Sequence, residues 1–315
     1  MWKYITYFII VIVLFSCESN HYITKSYYKL GTLVDITIPV RDKELLEEIE
    51  SKLTSLEKFI NSNTEKINSA PINTKIYVDK AFIELLKEAK YFYNLTRGHF
   101  DITIYTITSL YGFPEGPYKI PDIEDLTAAK KISTLKNLTI KDNYIIKKEN
   151  ILIDTSSYTK GYIVDRLKDF LKEKNINSAL INAGGDIYAI GSKGNRKWRI
   201  AIENPYDNKK FLSIINLENK AIATSGDYRR FFYKNGRKIN HIFDGITKES
   251  CDNYKSLSVI AKSTKYADGL ATAFYLLPLY QIGILCKKTN SSVLVYTMDN
   301  KTYKFCGFQH FEKIH

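Results

Sequence analysis

Apolar residues recur along this chain with two distinct periods. Val34, Ile36 and Ile38 alternate with Asp35 and Thr37, and Pro39 closes the run, the pattern of a strand with one buried face. Leu46, Ile49, Leu53, Leu56 and Ile60 then recur at three and four residues, which predicts an amphipathic helix. A second helix is predicted over 80–95, with Phe82, Leu85, Leu86, Ala89 and Tyr93 along one stripe; it stops at Arg97-Gly98, where glycine can take the left-handed cap conformation. A third follows Gly161, with Ile163, Val164, Leu167, Phe170 and Leu171 on one side, and a fourth covers 265–277 with Ala267, Leu270, Ala271 and Phe274. Short strand-like runs occupy 179–182, 198–202, 211–217, 257–261 and 292–297. They cluster rather than alternate strictly with helices, so an α+β fold with largely antiparallel sheet is expected, not a doubly wound one. Pro114, Pro117 and Pro121 mark 111–127 as an exposed excursion.

Composition narrows the class. The 315 residues are 44% hydrophobic and 25% charged, the balance of a globular protein with one continuous core. Lysines and arginines number 46 against 34 acidic residues, a net charge of +12. Lysines dominate this excess and lie scattered from end to end, alongside abundant Asn, Ile and Tyr. It therefore reads as background composition, and no nucleic-acid partner is expected.

The first residues speak for a compartment. Lys3 precedes an apolar stretch from Ile5 to Phe15, too short for a bilayer-spanning helix of about 20 residues and right for a signal-peptide core over 1–16. Leu14-Phe15-Ser16-Cys17 resembles a bacterial lipobox, which would make Cys17 the acylated first residue of a lipoprotein. Residues 17–29 then read as lipidated cysteine and tether, and 30–315 as the domain, anchored to a membrane and facing the periplasm or the outside of the cytoplasmic membrane. A plain secretory signal or an uncleaved anchor is the alternative. Cys251, Cys286 and Cys306 show no C-x-x-C or metal spacing, which leaves one disulfide or three buried thiols open.

Small residues sit beside carboxylates and hydroxyls in several places, the mix needed where backbone approaches a phosphate and a cation is held nearby. Gly98-His99-Phe100-Asp101-Ile102-Thr103 follows a helix end. From Asp154 to Asp165 a strand is expected to run through a hydroxyl-rich turn into the third helix, whose first N–H groups and Lys160 would suit an anion. Asn182-Ala183-Gly184-Gly185-Asp186 reads as a hairpin turn; neither G-x-G-x-x-G nor a G-K-S/T loop is present. Ala223-Thr224-Ser225-Gly226-Asp227-Tyr228, then His241-Ile242-Phe243-Asp244, then Ala267-Asp268-Gly269-Leu270-Ala271-Thr272 complete the set. Asp268 and Thr272, four apart on one helix face, could bring a carboxylate and a hydroxyl to a hard cation such as Mg²⁺.

Taken in order, together with Leu30-Gly31-Thr32 and Tyr111-Gly112-Phe113, these segments resemble the ApbE family of FAD:protein FMN transferases from Leu30 to Thr297. The resemblance implies an α+β fold of largely antiparallel sheets packed with helices, with a flavin cleft between subdomains. It implies FAD as substrate and Mg²⁺ as cofactor, held by Asp268, Thr272 and Ser157. Flavin-nucleotide contacts are carried over to Leu30, Phe59, His99, Phe100, Asp101, Asp154, Lys160 and Ile242. A Thr or Ser hydroxyl of an acceptor flavoprotein would attack the phosphorus nearest riboflavin and release AMP. His241 is the expected base because imidazole titrates near neutrality, with Asp244 as the alternative. Three departures stand out: Leu30 replaces a methionine, Asp244-Gly245 stands where Asp-Pro is common, and Phe59 lacks a phenol around a segment containing Asn63, Glu65 and Asn68. Two rival readings remain: a Mg²⁺-dependent FAD pyrophosphatase, which could use the same residues with water replacing the protein hydroxyl, and a lipid-anchored flavin-binding protein without turnover, against which Asp268, Thr272 and His241 speak because storage would not need them.

Overall fold

A computed structural model describes residues 21–207, 209–228 and 230–312; the stretch expected to be a signal segment, 1–16, and Cys17 lie outside them. The chain opens with β1 (Tyr22–Lys29), β2 (Thr32–Pro39), α1 (Leu46–Ser69) and α2 (Lys80–Leu95). A short helical turn α3 (Tyr105–Thr108), α4 (Ile123–Ile132) and the small ribbon β3 (Leu138–Ile140) and β4 (Ile145–Lys147) follow. Next come α5 (Ser156–Glu173), β5 (Ala179–Ala183), β6 (Asp186–Ile190), β7 (Trp198–Glu203), β8 (Phe211–Leu217) and β9 (Lys220–Gly226). The chain ends with β10 (Phe231–Lys234), β11 (Arg237–Asn240), β12 (Tyr254–Ala261), α6 (Thr264–Tyr275), α7 (Leu279–Lys288), β13 (Ser292–Thr297) and β14 (Thr302–Phe305).

Eight strands form one sheet in the order β1-β2-β5-β6-β9-β12-β13-β14, every neighbouring pair antiparallel. The period-two alternation decides what each face meets. Val34, Ile36 and Ile38 of β2, Ala221 and Ala223 of β9, and Leu257 and Val259 of β12 face α1, α2, α5 and α6 in the main core. Ile222, Ile260 and Leu294 point the other way and pack beneath the β7–β8 hairpin with Trp198, Ile200 and Leu217. A third cluster, Ile107, Tyr111, Phe113, Ile239 and Phe243, joins α3 to the β10–β11 hairpin. The α+β reading with a largely antiparallel sheet holds.

Several expectations are corrected. The expected tether over 17–29 overlaps ordered structure, because Tyr22–Lys29 is the edge strand β1, and Tyr27 is buried with its hydroxyl donating to Leu46 O at 2.7 Å. Its polar composition, Thr24-Lys25-Ser26, suits a strand open to solvent along one edge. Residues 151–155 form no strand, and α5 begins at Ser156 rather than after Gly161. The 111–127 segment is exposed only in part: Tyr111 and Phe113 are buried in the third cluster, and α4 starts within it. Of the open cysteine alternatives, Cys286 and Cys306 form a disulfide, while Cys251 is a buried thiol whose pKa burial pushes up to about 11.

Candidate active site

The strand alternation that builds the core also aims polar side chains at the helices. Ser225, two residues beyond Ala223 on β9, and Asp186, two before Tyr188 on β6, both face α5 and α6. Thr272 Oγ1 lies 3.0 Å from Ser225 Oγ and 3.4 Å from the carbonyl of Ser157. Asp268 Oδ2 accepts from Gly161 N at 3.0 Å, and its Oδ1 lies 3.4 Å from Lys160 Nζ. Lys160 Nζ also pairs with Asp186 at 3.0 Å. The structure thus brings together Ser157, Lys160, Asp268 and Thr272, and adds Asp186 and Ser225, to which the sequence reading gave no role. The strand period was the available signal for both.

This cluster can be tested as a cation site on its own chemistry. Two buried carboxylates, Asp186 and Asp268, share one ammonium. Burial first, and then the Asp186 carboxylate, hold the Asp268 carboxyl well above the usual carboxylate range, with Lys160 and Gly161 N–H opposing. Asp186 Oδ2 is buried and has the Lys160 ammonium at 3.0 Å as its ion-pair partner, so two carboxylates draw on a single cation. The site is therefore short of positive charge. Its remaining donors are a hydroxyl and a backbone carbonyl, the hard oxygen set that suits Mg²⁺. Asp268, Thr272 and Ser157 fit the ion.

A second group forms around His241, just past β11. Its Nδ1 lies 3.2 Å from Arg230 O, and its backbone N–H donates to the same carbonyl at 3.1 Å. A carbonyl only accepts, so Nδ1 carries the proton in this contact, and in the neutral imidazole the lone pair is then that of Nε2. The Arg230 guanidinium in turn packs on the β1–β2 turn, 3.2 Å from where a Cβ of Gly31 would stand. That turn has positive φ at both Leu30 (59°) and Gly31 (65°), and Glu57 accepts from Leu30 N at 2.7 Å. Phe59, half-buried on α1, stacks on Tyr162 at 6.1 Å and meets Phe82 edge-on.

The third group welds two loops. His99 Nδ1 lies 2.6 Å from Asp244 Oδ2, and Gly245 N donates to His99 O at 2.7 Å. A side chain at position 245 would put its Cβ 2.3 Å from Gly98 O, so glycine here has a steric reason, and proline would also lose the N–H. Asp244 Oδ1 accepts from Ile246 N at 2.6 Å and Thr247 N at 3.0 Å. With both oxygens engaged, Asp244 is a loop clip. Asp101 is buried and accepts from Thr103 N, Thr103 Oγ1 and Leu135 N, while the Phe100 ring packs on Phe92 in the core. Ile242 is likewise buried in the core. The side chains of all three are thus engaged inside the protein. Asp154 turns onto its own helix, accepting from Ser156 N at 2.8 Å and Ser156 Oγ at 2.6 Å. Asn63 ties α1 to Asp79 at the start of α2, and Asn68 brackets the backbone of Ile153 just before Asp154.

Comparison with known proteins agrees along nearly the whole length. A model of the ApbE family matches residues 30–296. An FAD:protein FMN transferase of Vibrio cholerae is 34% identical over 242 residues, covering 75% of this chain and 72% of its own. One from Buchnera aphidicola is 31% identical over 293 residues, covering 87% and 85%. Among solved structures, the ApbE protein of Thermotoga maritima superposes with a TM-score of 0.86 at 26% identity, over 93% of this chain and 100% of that one. The flavin transferase ApbE of Vibrio cholerae gives 0.82 at 29% identity, over 92% and 99%.

Proposed function

Because the chain belongs to the ApbE family, we propose that it is an FAD:protein FMN transferase that moves the FMN half of FAD onto a Thr or Ser hydroxyl of an acceptor flavoprotein in a Mg²⁺-dependent reaction. The observation that carries the mechanism is the convergence of Ser157, Asp268 and Thr272 on one oxygen-lined, charge-deficient spot beside Lys160. Mg²⁺ held there would neutralise charge on the FAD pyrophosphate. Lys160 adds a fixed positive charge to the same pyrophosphate. The acceptor hydroxyl attacks the phosphorus nearest riboflavin, forming a P–O ester, and its proton passes to Nε2 of His241. The bond from that phosphorus to the bridging oxygen breaks, and AMP leaves with the electron pair. Arg230 O holds the imidazole in the tautomer this requires.

The test combines protein, FAD, Mg²⁺ and a candidate acceptor. Flavin fluorescence retained by the acceptor in a denaturing gel, with one AMP released per flavin attached, is expected. Free FMN and AMP in equal amounts, with an unlabelled acceptor, would instead make the protein a pyrophosphatase.

The same reading extends to the cell envelope, with Cys17 as the lipid anchor. The Cys286–Cys306 bridge supports it, since disulfides persist in oxidising, extracytoplasmic compartments. Fatty-acid labelling is expected in the wild type and absent from Cys17→Ser; equal labelling of both would refute the anchor.

A further inference from the structure

The oxygen cluster is one rung of a longer ladder between two antiparallel helices. On α5, Ser157, Gly161 and Asp165 stand four residues apart on one face; on α6, Thr264, Asp268 and Thr272 do the same. They meet pairwise. Thr272 reaches the Ser157 carbonyl, and Asp268 Oδ2 accepts from Gly161 N at 3.0 Å. At the far end Asp165 accepts from Thr264 N at 2.9 Å and from Lys265 N at 3.0 Å.

That last rung is a helix cap supplied from outside the helix. Ser263, at the N-cap position of α6, makes no side-chain cap hydrogen bond, so the first N–H groups of α6 would be orphaned without Asp165. The carboxylate is buried, and each of its oxygens accepts from an α6 backbone N–H. Gly161 sets the spacing: a Cβ there would lie 2.4 Å from Thr264 O and 2.6 Å from Thr264 C. Lys265 Nζ pairs with Glu88 of α2 at 2.6 Å, which holds the rotation of the same turn. Asp165, the Gly161 contact and the Lys265–Glu88 pair thus together fix α6 against α5, and that placement determines where Asp268 and Thr272 stand relative to the Ser157 carbonyl.

We infer that Asp165 is a positioning residue for the divalent-cation site, acting by capping α6 so that the ligands of the neighbouring rungs stay in register. The inference rests on the cation reading of Ser157, Asp268 and Thr272 proposed above. Groups that orient metal ligands without touching the ion typically contribute 10–100-fold to affinity. The experiment is Mn²⁺ binding to the full chain, read by electron paramagnetic resonance without FAD or acceptor, for wild type and Asp165→Asn. Asp165→Asn is expected to bind Mn²⁺ about tenfold more weakly or worse. It should raise the Mg²⁺ needed for half-maximal turnover by the same factor, with the rate at saturating Mg²⁺ changed by less than about twofold. Asp165→Ser, which keeps an uncharged cap, serves if the amide variant does not fold. A folded variant with wild-type Mn²⁺ affinity overturns the inference. Failure of the wild type itself to bind Mn²⁺ would overturn the cation site, a different result from equal binding by both.

Discussion

His241 has one ring nitrogen committed to a backbone carbonyl, and that commitment gives the other its chemistry. Proton transfer by a positioned imidazole is typically worth about 10²–10⁴ in rate, so His241→Ala should slow transfer by that order and slow release of free FMN alongside it. Transfer lost with FMN release at the wild-type rate would mean that His241 places the acceptor and does not take its proton. Asp268→Ala removes the carboxylate shared by Lys160, Gly161 and the proposed cation. Mg²⁺-dependent turnover should be lost while the circular dichroism spectrum stays native; full activity would remove Asp268 from the ligand set. At this scale the sequence was informative about residue type and weak about employment. Asp101 and Asp244 both read as site carboxylates, yet each is spent on backbone N–H groups or a neighbouring imidazole inside the protein.

Among the elements, α5 shows where local rules give way. Ser156-Ser157-Tyr158-Thr159 are residues that compete with or disfavour helix, so the pattern pointed to a turn. The helix forms there because Asp154 satisfies the N–H of its first residue, Ser156, and Tyr158 is wholly buried, donating to Leu85 O at 3.1 Å. The early start places the Ser157 carbonyl opposite Thr272. At the other end of the sheet, α7 is stitched to the segment after β14 by Cys286–Cys306, 20 residues apart. Closing a loop of that size restricts the unfolded chain by about 3 kcal/mol. Cys286→Ser should lower the unfolding free energy by about that amount, read from urea midpoints, with the site's Mn²⁺ binding unchanged. A midpoint equal to the wild type would show that the bridge restricts nothing the fold has not already fixed.

Across the whole molecule, burial charges a cost to several carboxylates at once. Asp268, Glu88 and Asp101 all have pKa values raised, in each case first by burial. The folded protein therefore holds protons that the unfolded chain releases, and stability without a divalent cation should fall as pH rises out of the ordinary carboxylate range. The urea midpoint at pH 5 is expected to exceed that at pH 8, and Asp268→Asn should flatten the difference. A midpoint that rises from pH 5 to pH 8 in the cation-free protein would contradict this.

The sequence by itself determined what local periodicity and local chemistry can encode. The helix over 80–95 and the strands over 211–217 and 292–297 coincide with α2, β8 and β13, because each carries a regular apolar face. The ordered motifs were enough to imply the family. Only the tertiary structure decided which carboxylates face a ligand and which serve the fold. Asp165, Asp186 and Asp268 look alike along the chain, and their roles come from contacts across 99, 26 and 107 residues of sequence: Asp165 caps α6, Asp186 pairs with Lys160, and Asp268 meets Gly161. The physical reason is that a carboxylate's work is set by whichever donor lies within about 3 Å of it, and that neighbour is chosen by the packing of α5 on α6 and not by the residues on either side.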